Sequence, residues 1–174
     1  MNYANIKNHD IANGLGVRVS LFVSGCRNHC PHCFQPETWD FDYGQKFTDE
    51  IKNSIIDMVS KPYIKGLTVL GGEPLEPENQ YAIYDLILTI KDKFPNKDIW
   101  LYTGFTWEMI TDSYARCRHT DIIDKLLENI DVLVDGQFVN ELKDITLKFR
   151  GSSNQRIIDV QKSLMYKQLI LYKL

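Results

Sequence analysis

The chain has 174 residues, 44% of them hydrophobic and 25% charged, enough for one domain with a sizeable core and ordinary for a globular protein. A net charge of −3 and a pI near 5.8 argue against a nucleic-acid-binding surface. The start holds no apolar signal core, and no apolar run approaches the roughly 20 residues that cross a bilayer, so a cytoplasmic protein without membrane contact is expected.

In chain order, Asn13-Gly14-Leu15-Gly16 is a turn that leads into an apolar strand over 17–23. Ser24-Gly25-Cys26-Arg27-Asn28-His29-Cys30-Pro31-His32-Cys33 then places three of the four cysteines within eight residues, spaced C-x3-C-x2-C. A strand that ends in a glycine and a tight thiol-rich loop is built to hold something at the strand's carboxyl end. Three thiolates on one short loop can grip three corners of a cubane iron–sulfur cluster, and most such clusters have a fourth cysteine. The remaining Cys117 is remote, so one iron would keep open positions for a substrate or cofactor. A structural zinc site needs four ligands, usually as two pairs held apart by a longer linker. His29 or His32 could supply the fourth, although both lie between the cysteines, where a short loop makes convergence hard. Disulfides are disfavoured in a reducing compartment.

Residues 34–43 are aromatic and polar without a period, with Trp39 and Phe41 read as packing. Thr48 caps a helix whose positive end suits Asp49 and Glu50; Ile51, Ile55, Met58 and Val59 share one face, and Lys61-Pro62 stops it. A short buried strand over 66–70 closes in Gly71-Gly72-Glu73-Pro74. The next helix, 79–94, carries the stripe Ile83, Ile87, Ile90 and Phe94. A third strand, 98–102, is broken by Thr103-Gly104, and helical pieces follow at 106–110 and 121–129. A fourth strand, 131–134, ends in Asp135-Gly136. A fifth is placed near 146–149 and a sixth near 156–160, and the tyrosine-rich tail 164–174 is expected to pack on the body. Cys117-Arg118-His119 is read as an incidental thiol rather than a second metal site.

Strands alternating with helices imply right-handed crossovers and a mostly parallel sheet. The strands are too few for a closed eight-strand barrel, so the expected fold is α/β: a partial, open β/α barrel forming a single domain over 1–174. In such sheets ligands bind outside the carboxyl ends of the strands. The cysteine loop, Gly71-Gly72-Glu73-Pro74, Thr103-Gly104 and Asp135-Gly136 all follow strand ends and should gather on one rim. Paired glycines let a backbone approach a ligand closely. Asp135-Gly136 also reads as a hairpin signal, and Arg150-Gly151-Ser152-Ser153-Asn154-Gln155-Arg156 as a polar surface loop.

C-x3-C-x2-C after a first strand resembles the signature of the radical S-adenosylmethionine (SAM) enzymes. The resemblance implies a [4Fe–4S] cluster held by Cys26, Cys30 and Cys33, with the open iron chelated by the amino and carboxylate groups of SAM. Gly71, Gly72, Glu73 and Pro74 match the family's G-G-[DE]-P stretch, which receives the SAM ammonium. His32 and Phe34 correspond to positions that touch the adenine, and Thr103 and Asp135 at the next strand ends complete the expected cofactor-binding set. Asn13-Gly14, Leu21-Phe22-Val23-Ser24-Gly25-Cys26, Ile99-Trp100, Tyr102-Thr103-Gly104, Val132-Leu133-Val134-Asp135-Gly136-Gln137-Phe138 and the 150–156 stretch are similar to one branch, the activating proteins of anaerobic ribonucleoside-triphosphate reductase. This likeness runs from Met1 to about Ile158.

In that branch an electron from flavodoxin or ferredoxin passes through the cluster into SAM. The carbon–sulfur bond breaks to give methionine and a 5′-deoxyadenosyl radical, which takes hydrogen from a backbone glycine near the reductase's carboxyl end. No catalytic acid or base is needed, because the cofactor carries the chemistry. The rivals are a pyruvate formate-lyase-type activase, with a fuller barrel, a deazaguanine-pathway synthase, with a tighter polar pocket, and a zinc-stabilised interaction module.

Overall fold

The apolar runs of the sequence become the middle of one sheet. The computed structural model describes residues 1–112 and 120–174. Its strands are β1 (Asn2–Asp10), β2 (Arg18–Val23), β3 (Gln45–Lys46), β4 (Gly66–Gly71), β5 (Asp98–Tyr102), β6 (Val132–Asp135) and β7 (Arg156–Asp159). The helices are α1 (Asp49–Ser60), α2 (Pro77–Lys93), α3 (Trp107–Thr111), α4 (Ile123–Leu127) and α5 (Val160–Tyr166). The strands join in the order β3-β1-β2-β4-β5-β6-β7. The central four, β2-β4-β5-β6, are parallel, whereas β1, β3 and β7 pair antiparallel at the two margins. The result is a mixed α/β fold whose middle is parallel, so the carboxyl ends of β2, β4, β5 and β6 point the same way.

The two-residue period of each strand sorts its side chains onto two faces. Val19, Leu21, Val23, Leu67, Val69, Ile99, Leu101 and Leu133 pack with Ile55 and Val59 of α1, Ile83, Ile87 and Ile90 of α2, and Leu126 of α4. Helix α1 starts where predicted, with Thr48 accepting from the Ile51 N–H. The intervening strand residues meet on the other face, where Trp100, Val132, Val134 and Ile157 gather with Tyr102, Phe149 and Tyr172.

That face also holds a buried cation. Arg18 donates to Thr68 Oγ1 at 2.7 Å, to the Leu67 carbonyl at 2.8 Å and to Asp98 Oδ1 at 2.5 Å. Its guanidinium lies 5.4 Å from the Trp100 ring. Burial lowers its pKa, and Asp98 opposes the shift. Every N–H group of such a buried charge needs a partner, and Arg18 is supplied from two strands, β4 and β5, and from the Leu15 carbonyl at 3.2 Å.

Several expectations change. Residues 146–149 form no strand; they lie in the long connection 136–155, and Phe149 turns back to set its ring edge-on to Trp100 at 5.6 Å. Strands β6 and β7 do pair antiparallel, but through that connection rather than a tight Asp-Gly turn. Strand β1 escaped the sequence reading because it is a half-exposed margin whose register comes from β2, with Tyr3 opposite Val23 and Lys7 opposite Ser20. The tail does pack on the body: the Tyr172 N–H donates to Ile157 at 2.8 Å, and its ring meets Trp100. Cys117-Arg118-His119 lies outside the described residues. Among the described residues no helix is long and apolar enough to cross a membrane.

Candidate metal and cofactor site

The parallel strands deliver their carboxyl-terminal loops to one cavity of about 630 Å³. The cysteine loop is anchored on both flanks. The Ser24 N–H donates to Asn2, Gly25 to Thr38 and Cys26 to Trp39, at 3.0, 2.9 and 3.1 Å. Beyond Cys26 the loop curls through two left-handed residues, His29 and His32, with φ of 45° and 60°. Histidine is among the non-glycine residues enriched in that region, and the His29 ring is further held by stacking on Trp39 at 4.6 Å. The Cys33 N–H closes a turn on the Cys30 carbonyl at 3.1 Å.

All three cysteines are unpaired and line the cavity, Cys26 buried and Cys30 and Cys33 half-buried. Among the described residues no three Cys, His, Asp or Glu groups stand close enough to share one metal ion, as a tetrahedral zinc would require. The thiolates of a cubane each bind a different iron, and three soft thiol donors lining one roomy cavity fit an iron–sulfur cluster. Burial pushes the Cys26 thiol up to about 12, against the pull of the Asn28 and His29 N–H groups. Burial and the neighbouring Cys33 raise Cys30 as well. Cys26 and Cys30 are therefore neutral thiols in the metal-free loop, and loading iron there must release protons.

Gly71 and Gly72 sit beside this loop. Gly71 has φ of 111°, and the Gly72 N–H donates to Val23 at 2.7 Å. A Cβ on Gly72 would stand 2.7 Å from the Gly25 carbonyl and 2.9 Å from that of Thr38. The glycine is thus demanded by the cysteine loop itself. Glu73 continues the contact, its N–H donating to Gly25 at 2.8 Å.

The Glu73 carboxylate is buried and accepts from four donors. These are Asn28 Nδ2 at 3.0 Å, the Leu75 N–H at 2.9 Å, Thr103 Oγ1 at 2.8 Å and the Gly104 N–H at 2.7 Å. Burial raises its pKa to about 7, while the Leu75, Gly104 and Thr103 donors oppose the rise. Glu73 and Thr103 therefore tie together the loops after β2, β4 and β5.

The other residues singled out by sequence fall as follows. Phe34 stands at the cavity mouth, its ring 4.8 Å from Phe138. His32 is exposed and Pro74 buried, and neither lines the cavity. Asp135 is buried and accepts from the Trp107 N–H at 2.7 Å and Arg156 Nε at 3.0 Å. It faces a second, adjoining cavity.

Sequence reasoning missed the supports of the loop. Asn79 Nδ2 donates to the carbonyls of Ser24 and Glu73 at 2.9 and 3.0 Å. Glu76 accepts from the Arg27 N–H and guanidinium at 2.9 and 2.7 Å. The signal for both was the polar first turn of α2, which faces the cysteine loop rather than solvent. Phe138 was quoted only as part of a motif, and nothing in its surroundings marked it as the partner of Phe34.

Comparison with known proteins agrees with this geometry. A family profile described as a 4Fe-4S single cluster domain matches residues 12–158. The chain is 41% identical over 159 residues to an anaerobic ribonucleoside-triphosphate reductase-activating protein of Vibrio cholerae, covering 90% of this chain and 97% of the relative. It is 40% identical over 157 residues to the protein of that name from Enterobacteria phage T4, covering 90% and 93% of the two chains. The Escherichia coli K12 protein of that name is 41% identical over 157 residues, with 89% and 96% covered. On the matched span, the cysteine loop and the cavity it lines, the chain belongs to the family of anaerobic ribonucleoside-triphosphate reductase-activating proteins.

Proposed function

We propose that this protein is the activating enzyme of an anaerobic (class III) ribonucleoside-triphosphate reductase. The single observation that carries the reading is the placement of three unpaired thiols and the Gly71-Gly72 turn around one cavity. When bound, the cluster and SAM supply reductive cleavage of the sulfonium, and with it the radical that takes hydrogen from a glycine of the reductase.

The chain's own residues bind and orient. Cys26, Cys30 and Cys33 are the cluster ligands. The backbone of Gly71 and Gly72 presents carbonyl groups to the SAM ammonium, a close approach that side chains would block. Phe34, with Phe138 beside it, offers a flat apolar surface to the adenine, and His32 flanks the same turn. Glu73, Pro74, Thr103 and Asp135 shape the rim: Glu73 and Thr103 hold the three loops in register, and Asp135 fixes the start of α3 through Trp107. The sheet is read as an open β/α barrel of the radical SAM type, one domain over 1–174, and its open mouth admits part of a protein substrate. The electron donor is flavodoxin or ferredoxin, and the place of work is the cytoplasm.

The test is anaerobic reconstitution with iron and sulfide, followed by reduction in the presence of SAM. A brown protein that releases methionine and 5′-deoxyadenosine supports the reading. A colourless protein that binds zinc at the same cysteines overturns it.

A further inference from the structure

Beyond the cofactor cavity lies a second one, of about 570 Å³. Three residues, Asn28, Gly104 and Gly136, line both. The ridge between the two spaces therefore carries one side chain and two glycines. Gly136 has φ of 93°, and a Cβ there would meet nothing nearer than 3.8 Å. A Cβ on Gly104 would stand 2.4 Å from Asn28 Nδ2, so the ridge is bare on its Gly136 side, and there another backbone can cross close to it.

The walls of the second cavity select a type of occupant. Phe105 and Met109 give it apolar surface. Arg156 is its cation, but that guanidinium is bound by Glu108 at 2.8 and 3.0 Å and by Asp135. Two carboxylates on one guanidinium leave no positive charge for a phosphate or other anion. Gln137 is exposed, and its side-chain amide bonds to nothing among the described residues. Asn154 reaches the Gln137 carbonyl at 2.9 Å through Nδ2, which leaves its own amide oxygen on the wall. Side-chain amides both donate and accept, as the N–H and C=O groups of an extended peptide require.

We propose that the second cavity is the groove through which the glycine-bearing segment of the reductase reaches the cofactor. The segment lies extended along Gln137 and Asn154, and its glycine crosses the Gly104–Gly136 ridge. A residue with no side chain is the one that such a ridge passes most easily. This inference rests on the reductase-activation reading above.

The experiment uses the cluster-loaded protein with SAM and the whole reductase. One form carries a photo-crosslinking benzoylphenylalanine at position 137. A second carries it at 145, where Ile145 is 90% exposed on the 136–155 connection and lines neither cavity. Position 137 should crosslink to the glycine-bearing segment and position 145 should not. Gln137→Trp, which fills the groove, should weaken reductase binding at least ten-fold while the Kd for SAM stays within two-fold of wild type. The proposal is overturned if position 145 captures that segment and position 137 does not, or if Gln137→Trp binds the reductase as well as wild type. If the wild-type protein forms no complex with the reductase at all, the activation reading fails first and takes the groove with it.

Discussion

Asn28 of the cysteine loop donates its side-chain N–H to Glu73 at 3.0 Å, and the same carboxylate binds Thr103 and Gly104 beyond β5. One buried carboxyl group thus joins the cysteine loop to two other strand ends. Glu73→Gln keeps the shape but turns an NH2 group toward donors. With one or more buried donors left unsatisfied, it should cost about 1–3 kcal/mol, read as a lower urea midpoint. Asn28→Ala removes the tie between Glu73 and the cysteine loop. It should lose iron to a chelator several-fold faster than wild type while unfolding nearly as wild type does. Iron retention equal to wild type in both variants would show that the tie does not order the loop.

Gly72→Ala tests the close approach of two backbones. Its Cβ would stand 2.7 Å from the Gly25 carbonyl, a contact relieved only by moving the cysteine loop. Overpacking of this kind costs about 1–3 kcal/mol. The variant should also bind less iron per chain after reconstitution, whereas an alanine that takes up a full cluster would mean the loop has room to yield.

Arg18 and Asp98 form an ion pair under the sheet, with the Arg18 side chain fully buried. Asp98→Ala leaves the guanidinium with its carbonyl and hydroxyl partners but no counter-charge, at a cost of about 3 kcal/mol or more. Arg18→Met combined with Asp98→Ala should recover a large part of that loss, because the isolated charge has gone. Urea unfolding of the two variants decides it. A double variant less stable than Asp98→Ala alone would show that Arg18 contributes chiefly through packing and its neutral hydrogen bonds.

Glu108 sets a pH dependence at the rim of the second cavity. The Arg156 guanidinium holds its carboxyl down at about 2, from an ordinary 4.5. A lowered folded-state pKa means that the contribution is complete above about pH 4.5 and is lost as the pH falls through about 2. The Glu108 side chain is 57% exposed, so solvent screening keeps the contribution below about 1 kcal/mol. Glu108→Gln should flatten stability against pH over that window and leave the neutral range nearly unchanged. An acid limb of the same slope in the variant would assign the effect elsewhere.

Much of this molecule is readable from its chain because single local rules fix it. The apolar runs at β2, β4, β5 and β6 are short and bounded by glycine, and Thr48 with Asp49 and Glu50 marks the start of α1. The cysteine spacing needs no partner to be recognised. What escaped depends on residues distant in the chain. Strand β1 alternates polar and half-buried residues and is fixed only by pairing with β2. Phe149 looked like the end of a strand, yet its ring is drawn to Trp100 from across the sheet. Glu73 was legible as a motif position, but not as the acceptor of four donors from three loops. Asp135 likewise carries its burial in the company of Arg156 and Trp107, which no spacing announces.

The most direct test of the central claim is an electron paramagnetic resonance spectrum of the reductase after anoxic incubation with reduced, reconstituted protein and SAM. A glycyl-radical doublet on the reductase is predicted, lost in Cys26→Ala, Cys30→Ala and Cys33→Ala. No doublet from a protein with a full cluster that cleaves SAM, or a doublet that survives loss of any of the three cysteines, would contradict it.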